Sequence, residues 1–455
     1  MKYIYSKAFK TLSNMEHHAQ SIDDALIGGL SYKLKAGASY ITNRRSVSYF
    51  ASGGNSYSPT GVKVMKFNLT GDQWMDPSTF RIMFQLNNIG NAGVDPNGQQ
   101  PLKELEPLSW NPAVFFRRAR IICGGVVVED IDSFNRLSLM VTALKTEEEQ
   151  RQIALEGFGS YDTKFTDGTN DIRASYRIED YDRSGDVKLS RRVIFKPLFG
   201  LFSQDKLLPL RYCPIQLELE LVNSLADVIV VRDPVTHTDQ WNISDIQCKC
   251  DLLTLDNSLD NEYASHLLSG KSLPINFATW SHTNQSTNMD KNFSANIHRA
   301  LSRLKSIFVT LTHADTMQYK EANNFFHPTA VTLSDNYNPN DEHTFQVQIG
   351  SKVMPEYPMW SGGETLYQLA KTVGHPLHIF APWARSHRYI IGLDCEKISG
   401  AGFTRTSLKS GDQITLNFRD LGAEGRSNSV PHRMYCALYY DCVLNIQDSG
   451  IQVLD

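Results

Sequence analysis

Residues Arg192 to Val222 read RVIFKPLFGLFSQDKLLPLRYCPIQLELELV, and this stretch decides the fold class. From Ile215 to Leu221 every second residue is apolar, and the residues between them are glutamine or glutamate. A period of two is the pattern of a half-buried strand. Prolines and a glycine interrupt the apolar segment before it, as is typical of strand ends and loops in an antiparallel β-domain. A helix through the stretch would lose about 3 kcal/mol at each internal proline.

An alternating strand followed by a cysteine-containing alternating strand occurs twice in the chain. The first occurrence is CPIQLELELV and IQCKCDLL within residues 213–253, and the second is SGDQITLNF and MYCALYYDCVLNI within residues 410–446. No strict repeat period is visible. The repetition favours two similar β-domains in tandem over one large sheet.

Turn and helix signals separate the predicted strands in the rest of the sequence. Asp76-Pro77 predicts a turn, and Gly124-Gly125 in FFRRARIICGGVVVEDI predicts a hairpin. Apolar residues at helical spacing predict one long helix over Ser133–Leu155 and a short one over Gly363–Val373. The text between Asp256 and Pro274 predicts a junction with a short helix.

Composition bounds the class of protein. The chain has 455 residues, 41% of them hydrophobic, with a formal net charge of −4. This length is sufficient for two or three buried cores. The net negative charge argues against a protein that binds nucleic acid over its whole surface. Seven cysteines in strand-like text indicate buried free thiols, no disulfide framework and a reducing compartment. No signal peptide and no membrane-spanning run are predicted.

The sequence contains none of the common motifs of catalysis and cofactor binding: it has no phosphate-binding glycine loop, dinucleotide fingerprint, HExxH or GxSxG. Cys248 and Cys250 share one face of a strand but have no second ligand pair at zinc spacing. His375 and His378 are the nearest approach to a histidine ligand pair. We therefore assign no catalytic, cofactor-binding or metal site, and predict that the chain is not an enzyme.

The sharpest basic cluster consists of Arg117, Arg118 and Arg120. On a strand, Arg118 and Arg120 lie on the same face, which fits an intersubunit or phosphate contact. A solvated strand edge is the alternative.

Residues 1–45 are predicted to form an arm, with a short helix from about Ser21 that Gly28-Gly29 ends. Near its start, lysines interleave with apolar side chains: Lys2, Tyr3, Ile4, Lys7, Phe9, Lys10 and Leu12. The arm is predicted to contact a neighbouring subunit, a membrane or nucleic acid, and the alternative is a tail folded along its own domain. Deletion of residues 1–30 is expected to leave the fold intact and impair assembly.

Several motifs together carry a resemblance to a known family. They are KPLFGLF, LLPL and IQLELEL, the hairpin FFRRARIICGG with VVVEDI, and the later text YIIGLDCEKISGAGFT, SGDQITLNF and VLNIQDSGIQVLD. The chain resembles the double jelly-roll major capsid proteins of eukaryotic DNA viruses, in the polinton-like virus and virophage branch. The resemblance covers most of residues 31–455.

The resemblance implies an all-β fold of two tandem antiparallel eight-stranded jelly rolls with short helices in the loops. Three chains would form a homotrimeric, pseudo-hexameric capsomer that tiles an icosahedral virion shell, with an interface well above about 1,200–2,000 Å². Penton and minor capsid proteins are the other expected partners, with no small-molecule substrate and no cofactor. Long loops at 88–112, 157–190 and 315–342 would lie at the outer end or at trimer contacts.

The expected division of the chain follows from the same resemblance. It consists of an arm at 1–45, a first jelly roll at 46–256, a junction at 257–274, a second jelly roll at 275–447 and a tail at 448–455. Two alternative functions stay open at this point. One is a viral penton or spike protein that binds without forming the lattice, and the other is a two-domain β-sandwich hydrolase acting on carbohydrate.

Overall fold

The structure is a computed structural model that describes most of the chain from Ile41 onward. The described residues are 41–90, 103, 105–159, 180–181, 187–188, 190–229, 237–301, 303–312, 343–360, 362–374, 389–396, 413–421 and 430–454. The predicted arm up to residue 40 and the pair His375 and His378 lie outside them, as do most of the three long loops.

The described part of the first half contains two antiparallel sheets and a small hairpin. Its strands are β1 (Ile41–Phe50), β2 (Ser56–Tyr57), β3 (Val64–Leu69), β4 (Trp74–Asn88), β5 (Phe116–Cys123), β6 (Val126–Asp132), β7 (Asp180–Tyr181), β8 (Val187–Lys188), β9 (Ser190–Phe195), β10 (Leu208–Pro209), β11 (Ile215–Leu221) and β12 (Trp241–Leu255). One sheet has the order β1-β12-β4, with β9 and β10 on the far side of β4 and β2 on β12. The other has the order β3-β11-β5-β6.

The second half repeats this arrangement. Its strands are β13 (Leu273–Ser286), β14 (Phe293–Ile297), β15 (Leu304–Thr312), β16 (Thr344–Ile349), β17 (Lys352–Met359), β18 (Ile390–Asp394), β19 (Ile414–Arg419), β20 (Arg433–Gln447) and β21 (Gly450–Leu454). One sheet has the order β13-β20-β15-β18, with β21 on β20, and the other has the order β14-β19-β16-β17.

The two halves have the same topology when their eight main strands are matched in chain order. Strands β1, β3, β4, β5, β6, β9, β11 and β12 correspond to β13 through β20 in turn. In each half the first strand pairs with the last, and the chain crosses between two sheets, which is the jelly-roll connection. The predicted fold of two tandem antiparallel eight-stranded jelly rolls is confirmed.

Strand β11 shows why the sequence folds in this way. It lies inside its sheet, where Leu217 pairs with Phe67 of β3 on one side and with Ile121 of β5 on the other. All three side chains are fully buried. The period-two pattern therefore places one row of apolar side chains in the core and one row of polar side chains on the outer face.

One continuous hydrophobic core extends through both halves. In the first half the ring of Phe84 on β4 joins the two sheets. Its centroid lies 5.7–6.5 Å from those of Phe115, Phe116, Phe158 and Phe195. Offset and edge-to-face packing at these distances stabilises an aromatic core beyond its buried area.

The predicted single helix over Ser133–Leu155 is wrong, because the structure has two helices there. They are α1 (Phe134–Leu144) and α2 (Glu147–Glu156). Thr146 begins the second helix: its hydroxyl accepts from the Glu149 backbone N–H at 3.4 Å, and the Glu149 carboxylate accepts from the Thr146 N–H at 3.2 Å. This reciprocal capping box stabilises a new helix start.

The other two described α-helices agree with the predicted ones. They are α3 (Asn257–Leu268), in the junction between the halves, and α4 (Gly362–Val373), which follows β17. Within the described ranges, no helix is both long enough and apolar enough to cross a membrane.

Three predicted boundaries need correction. Asp76-Pro77 is not a turn but lies inside β4, at a bulge between the pairs Asp76–Asp251 and Arg81–Lys249. The bulge tolerates proline because the four residues 77–80 stand opposite Cys250 alone and are not all held in the ladder. Strand β1 begins at Ile41, so residues 41–45 belong to a sheet and not to the arm. In the predicted tail, β21 pairs with β20.

Candidate functional site: the contact between the two jelly rolls

The two halves meet along β13, the edge strand of the second half. Main-chain and side-chain groups of the first half contact this strand along its whole length. The contacts on β13 are Pro274 with Lys206, Ala278 with Gly200, Thr279 with Glu129, His282 with Asp132, and Asn284 with Ser133. The contact is therefore a continuous seam with polar groups at fixed positions.

The centre of the seam is the buried carboxylate of Glu129 on β6. It accepts hydrogen bonds from the backbone N–H groups of Gly200 at 2.9 Å and Leu201 at 2.7 Å. A third hydrogen bond comes from the hydroxyl of Thr279 on β13, at 2.5 Å. The first two donors lie in the first half and the third in the second, so the carboxylate joins the halves directly.

Burial changes the acidity of this carboxyl. Loss of solvation raises the pKa of Glu129 to about 7, although its three hydrogen bonds act in the opposite direction. The pKa of the nearby Cys123 thiol is also raised, by its contact with Cys213, by burial and by the charge of Glu129. Glu129 therefore titrates near neutral pH, where an ordinary glutamate is fully ionised.

Gly200 allows the backbones of the two halves to approach closely. A Cβ atom at this position would lie 2.0 Å from the carbonyl oxygen of Ala278 and 2.9 Å from the ring of Phe277. Real Cβ atoms do not come that near to backbone atoms. The glycine is thus required by the neighbouring half and not by its own backbone conformation.

A second group of polar contacts lies at the far end of the seam. The Arg136 guanidinium of α1 lies 5.4 Å from the ring centroid of Tyr435 on β20, and that ring stacks on His282 at 5.7 Å. Burial and the charge of Arg136 lower the pKa of His282 to about 3. His282 is therefore neutral at physiological pH and packs as a flat, uncharged ring.

The predicted basic cluster lies on the outer face of β5, and all three guanidinium groups are bound to carboxylates of their own sheet. As expected, Arg118 and Arg120 share a face. Arg118 forms a bidentate pair with Asp130, at 2.8 and 2.5 Å. The other pairs are Arg120 with Glu218 at 2.9 Å and Arg117 with Glu220 at 2.8 Å. The cluster therefore acts as a cross-strand ladder.

The cysteines behave as core residues. All seven are free and buried. Burial raises the pKa of Cys250 to about 12 and that of Cys248 well above its ordinary value. Thiols with raised pKa values are poor nucleophiles and poor metal ligands. No group of three or more potential metal ligands is found among the described residues.

Sequence reasoning missed the two residues that matter most in the seam, Glu129 and Thr279. One signal was present, because Glu129 follows three valines in VVVEDI and so breaks the apolar face of an otherwise β-branched strand. An acid in such a position needs a partner. The partner itself could not be read from the sequence, because it lies 150 residues away.

Comparisons by sequence give no relatives: no protein-family model and no curated protein matches the chain. Solved structures do match. VP54 of PBCV-1, fitted into a reconstruction of the virophage Sputnik, has a TM-score of 0.58 at 10% identity over 90% of this chain and 96% of that chain. A chain of the 3.5 Å Sputnik virophage structure gives 0.57 at 12% identity, over 91% and 88%.

The Faustovirus major capsid protein has a TM-score of 0.54 at 8% identity, over 89% of this chain and 90% of that chain. At these identities the likeness concerns the fold. The chain has the double jelly-roll fold of viral major capsid proteins, as the matched strand orders of its two halves require.

The first prediction concerns the pH dependence of stability. Because the pKa of Glu129 is higher in the folded chain than in the unfolded one, the folded state binds more protons between pH 4.5 and 7. Its contribution is fully present below pH 4.5 and is lost as pH rises through 7, by at most about 3 kcal/mol. Chemical unfolding of the wild type and of Glu129→Gln, at one protein concentration, measures it.

The difference in unfolding free energy between the two proteins isolates Glu129. The lowered pKa of His282 also makes stability depend on pH, but it does so equally in both proteins. We expect the wild type to lose stability relative to Glu129→Gln as the pH is raised from 5 to 8. A difference that is constant over this range would contradict the assignment.

The second prediction tests the close approach at Gly200. Gly200→Ala is expected to lower the free energy of unfolding by about 1–3 kcal/mol, because the backbones must separate. Gly363→Ala is the matched control, as its Cβ meets nothing within 4 Å. It lies in α4, where alanine is favoured over glycine by up to about 1 kcal/mol. Equal effects of the two substitutions would show that the seam is not tight.

Proposed function

We propose that this chain is a major capsid protein, a structural and non-enzymatic subunit that trimerises into pseudo-hexameric capsomers of an icosahedral virion. The observation that carries the proposal is the double jelly roll itself, shared over about nine-tenths of the chain with the Faustovirus major capsid protein. We take the first jelly roll to end at residue 256, the junction to span 257–274 and the second jelly roll to span 275–447.

The contact inside the chain supports assembly between chains. Within one molecule, the edge strand β6 of the first jelly roll lies against β13, the edge strand of the second. The matched edges are β17 in the second jelly roll and β1 in the first. The second jelly roll of one copy can therefore meet the first of the next in the same way. Such a head-to-tail contact closes a ring, and three copies would supply six jelly rolls.

Both matched edges carry exposed apolar side chains. On and after β17, Tyr357 is 79% exposed and Trp360 is 62% exposed. On β1, Phe50 is 69% exposed. Open sheet edges with large apolar side chains are normally covered by a partner, and aromatic residues are enriched in protein interfaces. The edges are thus suited to contact another copy.

In this proposal the other partners are neighbouring capsomers, penton proteins and minor capsid proteins, and the protein resides in the virion. Residues 1–40 would reach a minor protein, an internal membrane or packaged DNA through their lysine-rich start. The outer-face ladder of β5 would keep the wall of the capsomer polar.

The mass and shape of the purified protein test the proposal. Size-exclusion chromatography with light scattering should give about three times the chain mass of 51.3 kDa. Electron microscopy should show particles with a hexagonal outline. A monodisperse monomer at micromolar concentration would contradict the trimer.

A substitution at the exposed edge tests which surface forms the trimer. Trp360→Ala should raise the trimer dissociation constant about 30-fold or more, since a central interface tryptophan contributes at least about 2 kcal/mol. Leu155→Ala is the control, because Leu155 is 53% exposed but lies on α2 of the first half. Light scattering over a dilution series measures both. A Trp360→Ala protein that stays trimeric like the control would exclude this edge.

A further inference from the structure

An apolar cleft of about 510 Å³ opens beside the junction between the two halves. We call it the junction cleft. Its walls include Ile41 at the start of β1, Trp74 of β4, Leu259 and Tyr263 of α3, and Leu273 of β13. Its volume lies in the range of sites that hold small ligands or a few side chains.

The walls of the junction cleft belong to a small hydrophobic cluster that is separate from the main core. Trp74 and Leu255 are buried in this cluster, whereas Leu259 and Tyr263 are only partly covered. The ring centroids of Trp74 and Tyr263 lie 4.9 Å apart. Because the described residues leave one side open, helix α3 presents part of its apolar face to whatever fills the cleft. An apolar surface of this kind favours a nonpolar occupant.

The chain enters the described structure at the cleft itself. Ile41 lines the cleft, is 43% exposed and pairs with Leu255 at the end of β12. Forty residues precede it, and among them residues 22–30 read IDDALIGGL. Only ten residues separate Leu30 from Ile41, and the eleven steps between these two residues span at most about 36–40 Å when fully extended. This segment can therefore return to the cleft of its own chain.

The sequence of residues 22–30 matches the chemistry of the cleft. Ile22 and Leu26 are spaced by four and would lie on one face of the predicted helix. Two acids, Asp23 and Asp24, stand beside them. The cleft has one cation to receive an acid, since Lys206 lines it.

We propose that residues 22–30 of the same chain dock in the junction cleft, with Ile22 and Leu26 against the apolar face of α3. This is helix-in-groove recognition within one molecule. The short connection to Ile41 gives the segment a high effective concentration at its own cleft, which favours it over the segment of another copy. The lysine-rich residues 2–10 are then held near the junction, free to contact a partner. The proposal does not depend on the capsid function.

Photo-cross-linking in the full-length chain tests the occupant. A benzophenone amino acid is placed at Leu26, and the same probe at Leu12 serves as the control. We expect the Leu26 probe to form a cross-link within one chain, found by mass spectrometry on the peptide that contains Leu259. The Leu12 probe, which lies outside the docked segment, should give much less of this cross-link. A product of twice the chain mass from Leu26 would assign the cleft to a neighbouring copy and overturn the proposal, as would the absence of any cleft cross-link.

A pair of substitutions on α3 separates the cleft from the rest of the helix. Leu259→Glu should remove most of the Leu26 cross-link and speed tryptic cleavage at Lys33 and Lys35 about tenfold. Leu268→Glu is the matched control, because Leu268 is 75% exposed on the same helix and should change neither readout. Equal results for the two variants would overturn the proposal.

Leu26→Asp gives an independent test if Leu259→Glu does not fold, since residue 26 lies outside the jelly rolls. It should open the cleft and raise the fluorescence of a dye that binds exposed apolar surface, with the oligomeric mass unchanged. Unchanged fluorescence would count against docking.

Discussion

The buried carboxyl of Glu129 joins three segments that are distant in the sequence, and the position of one jelly roll on the other depends on it. An acid in an apolar interior is tolerated only when hydrogen-bond donors surround it. Here two donors come from the turn at Gly200 and Leu201, and the third is Thr279 of the other half. The first half alone would leave the carboxyl one donor short. The contact at Glu129 thus adds a directional polar constraint to the apolar packing between the halves.

The open edges of the two jelly rolls form a consistent set. Inside the chain, β6 and β13 cover each other and bury Glu129 between them. Their counterparts β17 and β1 expose Tyr357 and Phe50 to solvent. Isolated proteins usually protect such edges with charges or short strands. The tandem repeat therefore covers one pair of edges inside the chain and leaves the matching pair, β17 and β1, with exposed apolar side chains.

The sequence predicted the strands well because they have one apolar, buried face and one polar, outer face, as Leu217 and its neighbours show. Prediction from the sequence was wrong or incomplete where the structure depends on contacts between distant residues or on a local irregularity such as a bulge. The bulge at Asp76-Pro77 looks like a turn, since only the register with β12 keeps it inside a strand. The sequence TEEE at 146–149 contains the capping box of Thr146, but the helical spacing of apolar residues continues across it and predicted one longer helix. The pairing of Glu129 with Thr279 follows from topology alone, which periodicity does not encode.

The pairing of the first strand with the last in each half has a consequence for how the protein folds. The hydroxyl of Thr42 in β1 donates to the Thr254 carbonyl in β12, 212 residues further along the chain. Sheets with such long-range pairings fold slowly, because the chain must close a large loop before any pairing energy is gained. During synthesis, β1 has no partner and β4 lacks the partner on one of its sides until β12 emerges from the ribosome. For that interval the growing chain exposes the strand edges most prone to aggregate, so we expect its yield in cells to depend on chaperones and on temperature.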